Sequence, residues 1–184
     1  MKKVILSVAT SLDGFIEGPN REIDWIPFTE DGVKALEQFL NEIDTVLYGR
    51  ISYETWGNYV PAEDSTDFDK NFYAGLNKMK KYVFSTTKKN FEGNPIVVQS
   101  NIEETVNKLK QESGKNIWLY GGAELVTGFV NLDLVDEFRI AVFPIILGAG
   151  RSLFKNIDHR VKLKLIDVIT GPSGIAEFRY EKAV

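Results

Sequence analysis

In the segment Asn116-Ile117-Trp118-Leu119-Tyr120-Gly121-Gly122-Ala123-Glu124-Leu125, an apolar run stops at two adjacent glycines. Leu125, Val126, Phe129 and Val130 then recur at helical spacing. The pattern predicts a buried strand, a turn without side chains and a helix. A helix N-terminus carries unpaired N–H groups and a positive partial charge, and glycine lets an anion come close to them. A phosphate-bearing ligand, with a nucleotide cofactor the obvious candidate, is the functional reading. A tight connection at positive φ is the structural one. No G-x-G-x-x-G follows a strand and no G-K-[ST] exists, so neither the Rossmann fingerprint nor the Walker A loop is present.

The same alternation runs along the chain. Val4 to Ala9 is a near-continuous apolar run, as in a strand buried on both faces. Asp31 to Asn41 carries Val33, Leu36, Phe39 and Leu40 at helical spacing. Thr45 to Tyr48 and Lys81 to Phe84 read as strands, with a helix from Asp67 to Lys80 between them. Pro95 to Gln99 is a short strand. Ile102, Val106 and Leu109 mark a helix, with Asn101 as its expected N-cap and Glu104 three residues on. Glu137 to Phe143 alternates, and Lys162 to Ile169 with Ile175 to Glu181 reads as an antiparallel hairpin around Thr170-Gly171-Pro172-Ser173-Gly174. The fold class is therefore α/β: a mostly parallel central sheet flanked by helices, with an antiparallel C-terminal hairpin at the edge. The polar, acidic stretch Asn58 to Asp69 is the best candidate for a mobile flap.

Composition narrows the function classes. With 184 residues and 43% hydrophobic content, the chain is long enough for one sizeable core, and 1–184 reads as a single domain. The net charge of −4, with charges interspersed, argues against nucleic acid and against a membrane surface. No apolar run is long enough to span a bilayer, and the N-terminal run reads as a first strand rather than a signal peptide. Cysteine is absent, which excludes disulfides and thiolate sites and fits a cytoplasmic protein. The single histidine, His159, lies among charged residues and has no His or Cys partner for a zinc site; no metal is expected.

Open α/β sheets bind ligands at the carboxyl ends of their strands. Three such ends carry suitable groups: Gly49-Arg50-Ile51-Ser52-Tyr53, Ser85-Thr86-Thr87-Lys88-Lys89 and Gly121-Gly122-Ala123. A guanidinium fork, a cluster of hydroxyls and ammoniums, and a bare amide turn together suit a pyrophosphate plus a separate ribose phosphate, as in NADP. Arg50 either reads phosphate in this way or pairs with Glu54 or Asp44.

Four ordered motifs resemble the dihydrofolate reductase-like family, and within it the reductase domain of the bifunctional riboflavin-biosynthesis deaminase/reductase. They are Ser7-Val8-Ala9-Thr10-Ser11-Leu12-Asp13-Gly14-Phe15-Ile16, Leu47-Tyr48-Gly49-Arg50-Ile51-Ser52-Tyr53-Glu54, Tyr120-Gly121-Gly122, and Phe143-Pro144-Ile145-Ile146-Leu147-Gly148-Ala149-Gly150-Arg151-Ser152-Leu153-Phe154. The resemblance implies NADPH as cofactor and hydride transfer from its nicotinamide. It implies that Gly49, Arg50 and Ser52 hold phosphates, and that Ser85, Thr86 and Thr87 lie near the adenosine and its 2′-phosphate. Gly121, Gly122, Ala123 and Glu124 would cover the pyrophosphate across a cis Gly-Gly peptide, with Leu125 packed nearby. Ala9 and Ile16 would line the nicotinamide pocket.

On the substrate side the resemblance implies an acidic residue near a Trp-x-x-Pro element. Trp25-Ile26-Pro27-Phe28-Thr29-Glu30-Asp31 lies there with altered spacing, so Glu30, Asp31 or neither is the counterpart. Asp13 is the other catalytic candidate, or simply a turn residue before Gly14. Trp25 and Tyr120 are the candidate substrate contacts. The implied activity is reduction of a small heterocycle, with reduction of a phosphoribosylamino-pyrimidine as the nearest precedent. Pterin or dihydrofolate reduction, or a non-catalytic NADP-binding module, are the alternatives. The H-x-E…P-C-x-x-C zinc signature is missing, so no deaminase activity is expected. A homodimer is implied, with Phe138 and Phe143 as candidates for its interface.

Overall fold

Val4–Ser11 forms strand β1, and Val4, Ile5 and Leu6 are fully excluded from solvent, as an apolar run in mid-sheet must be. The computed structural model describes residues 1–183. After β1 come β2 (Phe15–Glu17), α1 (Glu30–Leu40), β3 (Ile43–Gly49), and α2 (Arg50–Ser52), which runs into a π turn over Tyr53–Gly57. Then follow α3 (Asp67–Asn77), β4 (Lys80–Phe84), β5 (Ile96–Val98), α4 (Ile102–Gln111), β6 (Asn116–Gly121) and α5 (Ala123–Asn131). The chain closes with β7 (Glu137–Phe143), β8 (Arg151–Ser152), β9 (Leu163–Thr170) and β10 (Ala176–Lys182).

Eight strands form one sheet in the order β5-β4-β3-β6-β1-β7-β10-β9. From β5 to β7 all neighbours are parallel; β10 pairs antiparallel with β7, and β9 with β10. β2 and β8 make a separate antiparallel ribbon. Successive residues of a strand point to opposite faces, which splits the core in two. Leu6, Leu47 and Leu119 pack with Val106 and Leu109 of α4 and Val126 and Phe129 of α5. Ile5, Val46 and Trp118 pack with Phe39 of α1 and Leu76 of α3. Two helices start where a threonine caps them: Thr29 accepts from the Gly32 amide at α1 and Thr66 from the Asp69 amide at α3.

Several local expectations need correction. Asn101 does precede α4, but it sits in the left-handed region and its side chain makes no capping bond. The third helix stops at Asn77, because Lys80 already belongs to β4. The antiparallel C-terminal hairpin, by contrast, is as expected: β9 and β10 are the antiparallel strands, and β7 pairs in parallel with β1. Phe138 and Phe143 are 3% and 6% exposed, which removes them as interface residues. Phe138 belongs to the core beneath α5, and Phe143 meets the edge of Trp25. The ribbon strands β2 and β8 and the helix after Gly49 are too short for periodicity to reveal.

Candidate cofactor site

The sheet order sets the carboxyl ends of β4, β3 and β6 side by side. The backbone at the last two comes very close. A Cβ on Gly49 would lie 3.4 Å from both the Gly121 carbonyl oxygen and the Gly122 nitrogen, and 3.7 Å from Leu125 Cβ. Gly121 has φ +113°, a conformation that excludes side chains, and the Gly121–Gly122 peptide is cis. Gly122 is the N-cap of α5 and Ala123 its first residue, buried beneath the turn. The Ser52 hydroxyl approaches the same glycine, 3.3 Å from where a Gly122 Cβ would stand. Glu124 is exposed in the first turn of α5. The cradle is thus built of bare backbone, one hydroxyl and the first-turn amides of a nine-residue helix.

Cations flank it. Arg50 Nη1 donates to Glu54 Oε2 at 3.0 Å, and Lys88 Nζ donates to Glu54 Oε1 at 2.7 Å. Of the two partners open for Arg50 in the sequence, Glu54 is the one it meets. Lys88, and to a lesser extent Arg50, hold the Glu54 carboxyl below its ordinary value. The Lys88 ammonium also stands 4.9 Å from the centre of the Phe91 ring. Ser85 is buried and its hydroxyl accepts the Lys88 backbone N–H at 3.0 Å, closing the turn after β4. Thr86 and Thr87 follow it on the surface. Sequence reasoning named Glu54 and Lys88 separately but did not bring them together. The Arg50/Glu54 spacing was visible, but the Lys88 contact bridges 34 residues.

On the β1 side, Ala9 pairs with Ala141 and is half-buried, and Ile16 packs against the core. Asp13 is fully engaged. Its Oδ1 accepts the Ser11 hydroxyl at 2.7 Å and the Leu147 amide at 3.1 Å, while Oδ2 accepts the Gly148 amide at 2.8 Å. These donors, the Ser11 hydroxyl foremost, lower its pKa. Asp13 therefore clips the 147–148 loop to the end of β1. Trp25 stands edge-on to Phe143 at 5.8 Å, and its buried indole N–H has no partner among the described residues. It lines a cavity of about 370 Å³ with Gly18, Pro19, Asp24, Ile145 and Leu147. Tyr120 lies between Trp118 and Tyr48, with ring centres 4.8 Å away on each side. Burial pushes both the Tyr48 and Tyr120 phenols up, and the Tyr48 hydroxyl too lacks a partner.

The α1 carboxylates are placed differently. Glu30 is 85% exposed and takes a bond from Lys34, which lowers its pKa. Asp31 accepts the Ser173 hydroxyl at 2.8 Å, so it docks the β9–β10 turn; Thr29 and Ser173 lower its pKa. The structure thus gathers Asp13 and Trp25 around the 147 loop, sets Tyr120 beside the glycine turn, and leaves Glu30 at the surface. A larger cavity, about 560 Å³, lies at the opposite end of the sheet, between the C-terminal ends of α1 and α3. Among the described residues no His, Cys, Asp or Glu cluster suits a metal ion, and no helix is long and apolar enough to cross a membrane.

The family described as the RibD C-terminal domain matches residues 2–176. The chain belongs to this family. The uncharacterized protein YyaP of Bacillus subtilis is 45% identical over 179 residues, covering 97% of this chain and 94% of that protein. Solved RibD-type structures share the fold. The Thermotoga maritima diaminohydroxyphosphoribosylaminopyrimidine deaminase/5-amino-6-(5-phosphoribosylamino)uracil reductase matches with TM-score 0.72 and 16% identity, over 99% of this chain and 57% of that one. Dihydrofolate reductase from Enterococcus faecalis, complexed with NADP(H), matches with TM-score 0.65 and 15% identity over 98% of this chain and 96% of that one. The RibD C-terminal domain of this chain therefore has the dihydrofolate reductase-like fold, the three-layer arrangement of helices on both faces of a mostly parallel sheet.

Proposed function

We propose that this chain is an NADPH-dependent reductase of a small heterocyclic substrate, of the kind represented by 5-amino-6-(5-phosphoribosylamino)uracil. One observation carries the reading: Gly49, Ser52 and Gly121-Gly122 leave bare backbone at adjoining strand ends, with Arg50 and Lys88 beside it. A Cβ at Gly49 would lie against the Gly121–Gly122 backbone, so the absence of side chains here suits a closely held pyrophosphate. When bound, NADPH supplies the hydride. The first-turn amides of α5 and the Ser52 hydroxyl hold the pyrophosphate, and Arg50, Lys88, Thr86 and Thr87 face the adenosine phosphate. Ala9 and Ile16 form the nicotinamide wall.

The unpartnered Trp25 indole N–H, buried beside the cavity of about 370 Å³, is the group that would orient a polar substrate once the cavity opens to it, and Tyr120 backs the site from within the aromatic stack. Asp13 acts by positioning. A general acid at neutral pH needs a raised pKa, whereas Asp13, Glu30 and Asp31 are all lowered and therefore ionised. In this reading the proton for the reduced product comes from solvent. The experiment is to mix protein, NADPH and either the ribosylaminopyrimidine or dihydrofolate, and to follow loss of reduced-nicotinamide absorbance. Turnover of the pyrimidine alone is the expected result; turnover of dihydrofolate alone reassigns the substrate. Binding of NADPH without turnover of either makes the chain a nucleotide-binding module.

A further inference from the structure

We propose that Glu54 limits the cofactor site's preference for a phosphorylated ribose by pairing with the two cations that this phosphate engages. The inference rests on the NADPH reading above. Arg50 follows β3 and Lys88 follows β4, so a single carboxylate ties together the loops of two neighbouring strands, at 3.0 Å and 2.7 Å. The Arg50–Glu54 pair alone would be an ordinary i, i+4 surface contact. The Lys88 contact is not, since no local helix geometry brings Lys88 there. Lys88 is further fixed over Phe91. Both cations remain open to solvent, at 42% and 48% side-chain exposure, so a ligand anion reaches them.

Two cations gathered at one point repel each other when the site is empty. Glu54 offsets that repulsion and keeps both side chains pointed at a common position. The same carboxylate opposes an incoming phosphate, because a fixed negative charge stays within a few ångströms of it. Glu54 thus stabilises the empty cradle and weakens the filled one, which keeps the cofactor exchangeable. A dinucleotide without the ribose phosphate does not contend with Glu54 and is indifferent to it.

The test measures binding of NADPH and of NADH to the full chain by quenching of tryptophan fluorescence, for the wild type, Glu54→Gln and Lys88→Gln. Glu54→Gln is expected to tighten NADPH binding by about three- to tenfold, less at high salt, and to leave NADH within about twofold. Lys88→Gln is expected to lower the NADPH preference by a similar factor, and it carries the test if Glu54→Gln does not fold. Unchanged or weaker NADPH binding in Glu54→Gln, or equal tightening of both dinucleotides, overturns the role of Glu54 while leaving the cofactor reading intact. A wild-type protein that binds neither dinucleotide overturns both.

Discussion

The two ends of the sheet solve the problem of burial in opposite ways. From β5 to β1 the strands are parallel and clad by helices on both faces, and Val46, Leu47, Ile117 and Leu119 have no exposure. At the other end every residue of β9 is exposed, including Leu165 at 50% and Ile166 at 46%. Between them the antiparallel pairs carry ion pairs where the other half carries helices: Arg139 with Glu137 and Glu42, and Arg179 with Glu177. The phosphate cradle of the candidate site lies at the clad end. A closely packed core fixes the backbone of Gly49 and Gly121, which a cradle for phosphate requires and an exposed hairpin does not provide.

This contrast can be broken by substitution. Leu119→Ala, in the fully buried β6, is expected to cost about 3–4 kcal/mol, read from urea midpoints at constant m. A loss below about 1 kcal/mol would show that the parallel half is loosely packed.

Glu137→Gln probes the boundary. Burial alone would raise the Glu137 carboxyl, but Arg139 and Lys3 outweigh it and hold it below its ordinary value. A depressed pKa means stability that is complete above the unfolded value, about 4.3, and is lost as pH falls through the folded one. The variant should therefore lose about 2 kcal/mol at neutral pH and show a shallower acid dependence below about pH 4. An unaltered acid limb would remove Glu137 from the ion-pair account. Arg139 retains Glu42, which keeps the loss below that for an isolated buried pair.

Arg50→Ala should weaken NADPH binding about tenfold and NADH binding less, with little change in melting temperature, because its ion pair is exposed. Equal, negligible losses for both dinucleotides would sink the phosphate assignment. The smallest effect is expected from Leu165→Lys in β9, under about 0.5 kcal/mol for an exposed position. A larger, concentration-dependent loss would instead place a second copy of the chain on this strand, the homodimer that the family resemblance implies.

Much of this molecule was legible in the chain. Val4–Ala9, Ile117–Tyr120 and the helix carrying Val126 and Phe129 declare themselves by period, since burial on two faces or on one stripe demands those patterns. The Gly121-Gly122 turn and Arg50 were visible as residue types suited to phosphate. The engagement of Asp13 with the amides of Leu147 and Gly148 was not, because 134 residues of chain separate Asp13 from that loop. Nor was the binding of Asp31 to Ser173, which turned an acid on the first helix into an anchor for the last hairpin.

By itself the sequence determined the longer strands and helices, and that bare backbone ends β6. Those properties follow from local periodicity and from the conformations glycine alone permits. Only the tertiary structure decided that β4, β3 and β6 are neighbours, that Arg50 meets Glu54, and that Lys88 joins it. Neighbourhood in a sheet is set by how helices pack across its faces, a global balance that no single segment encodes.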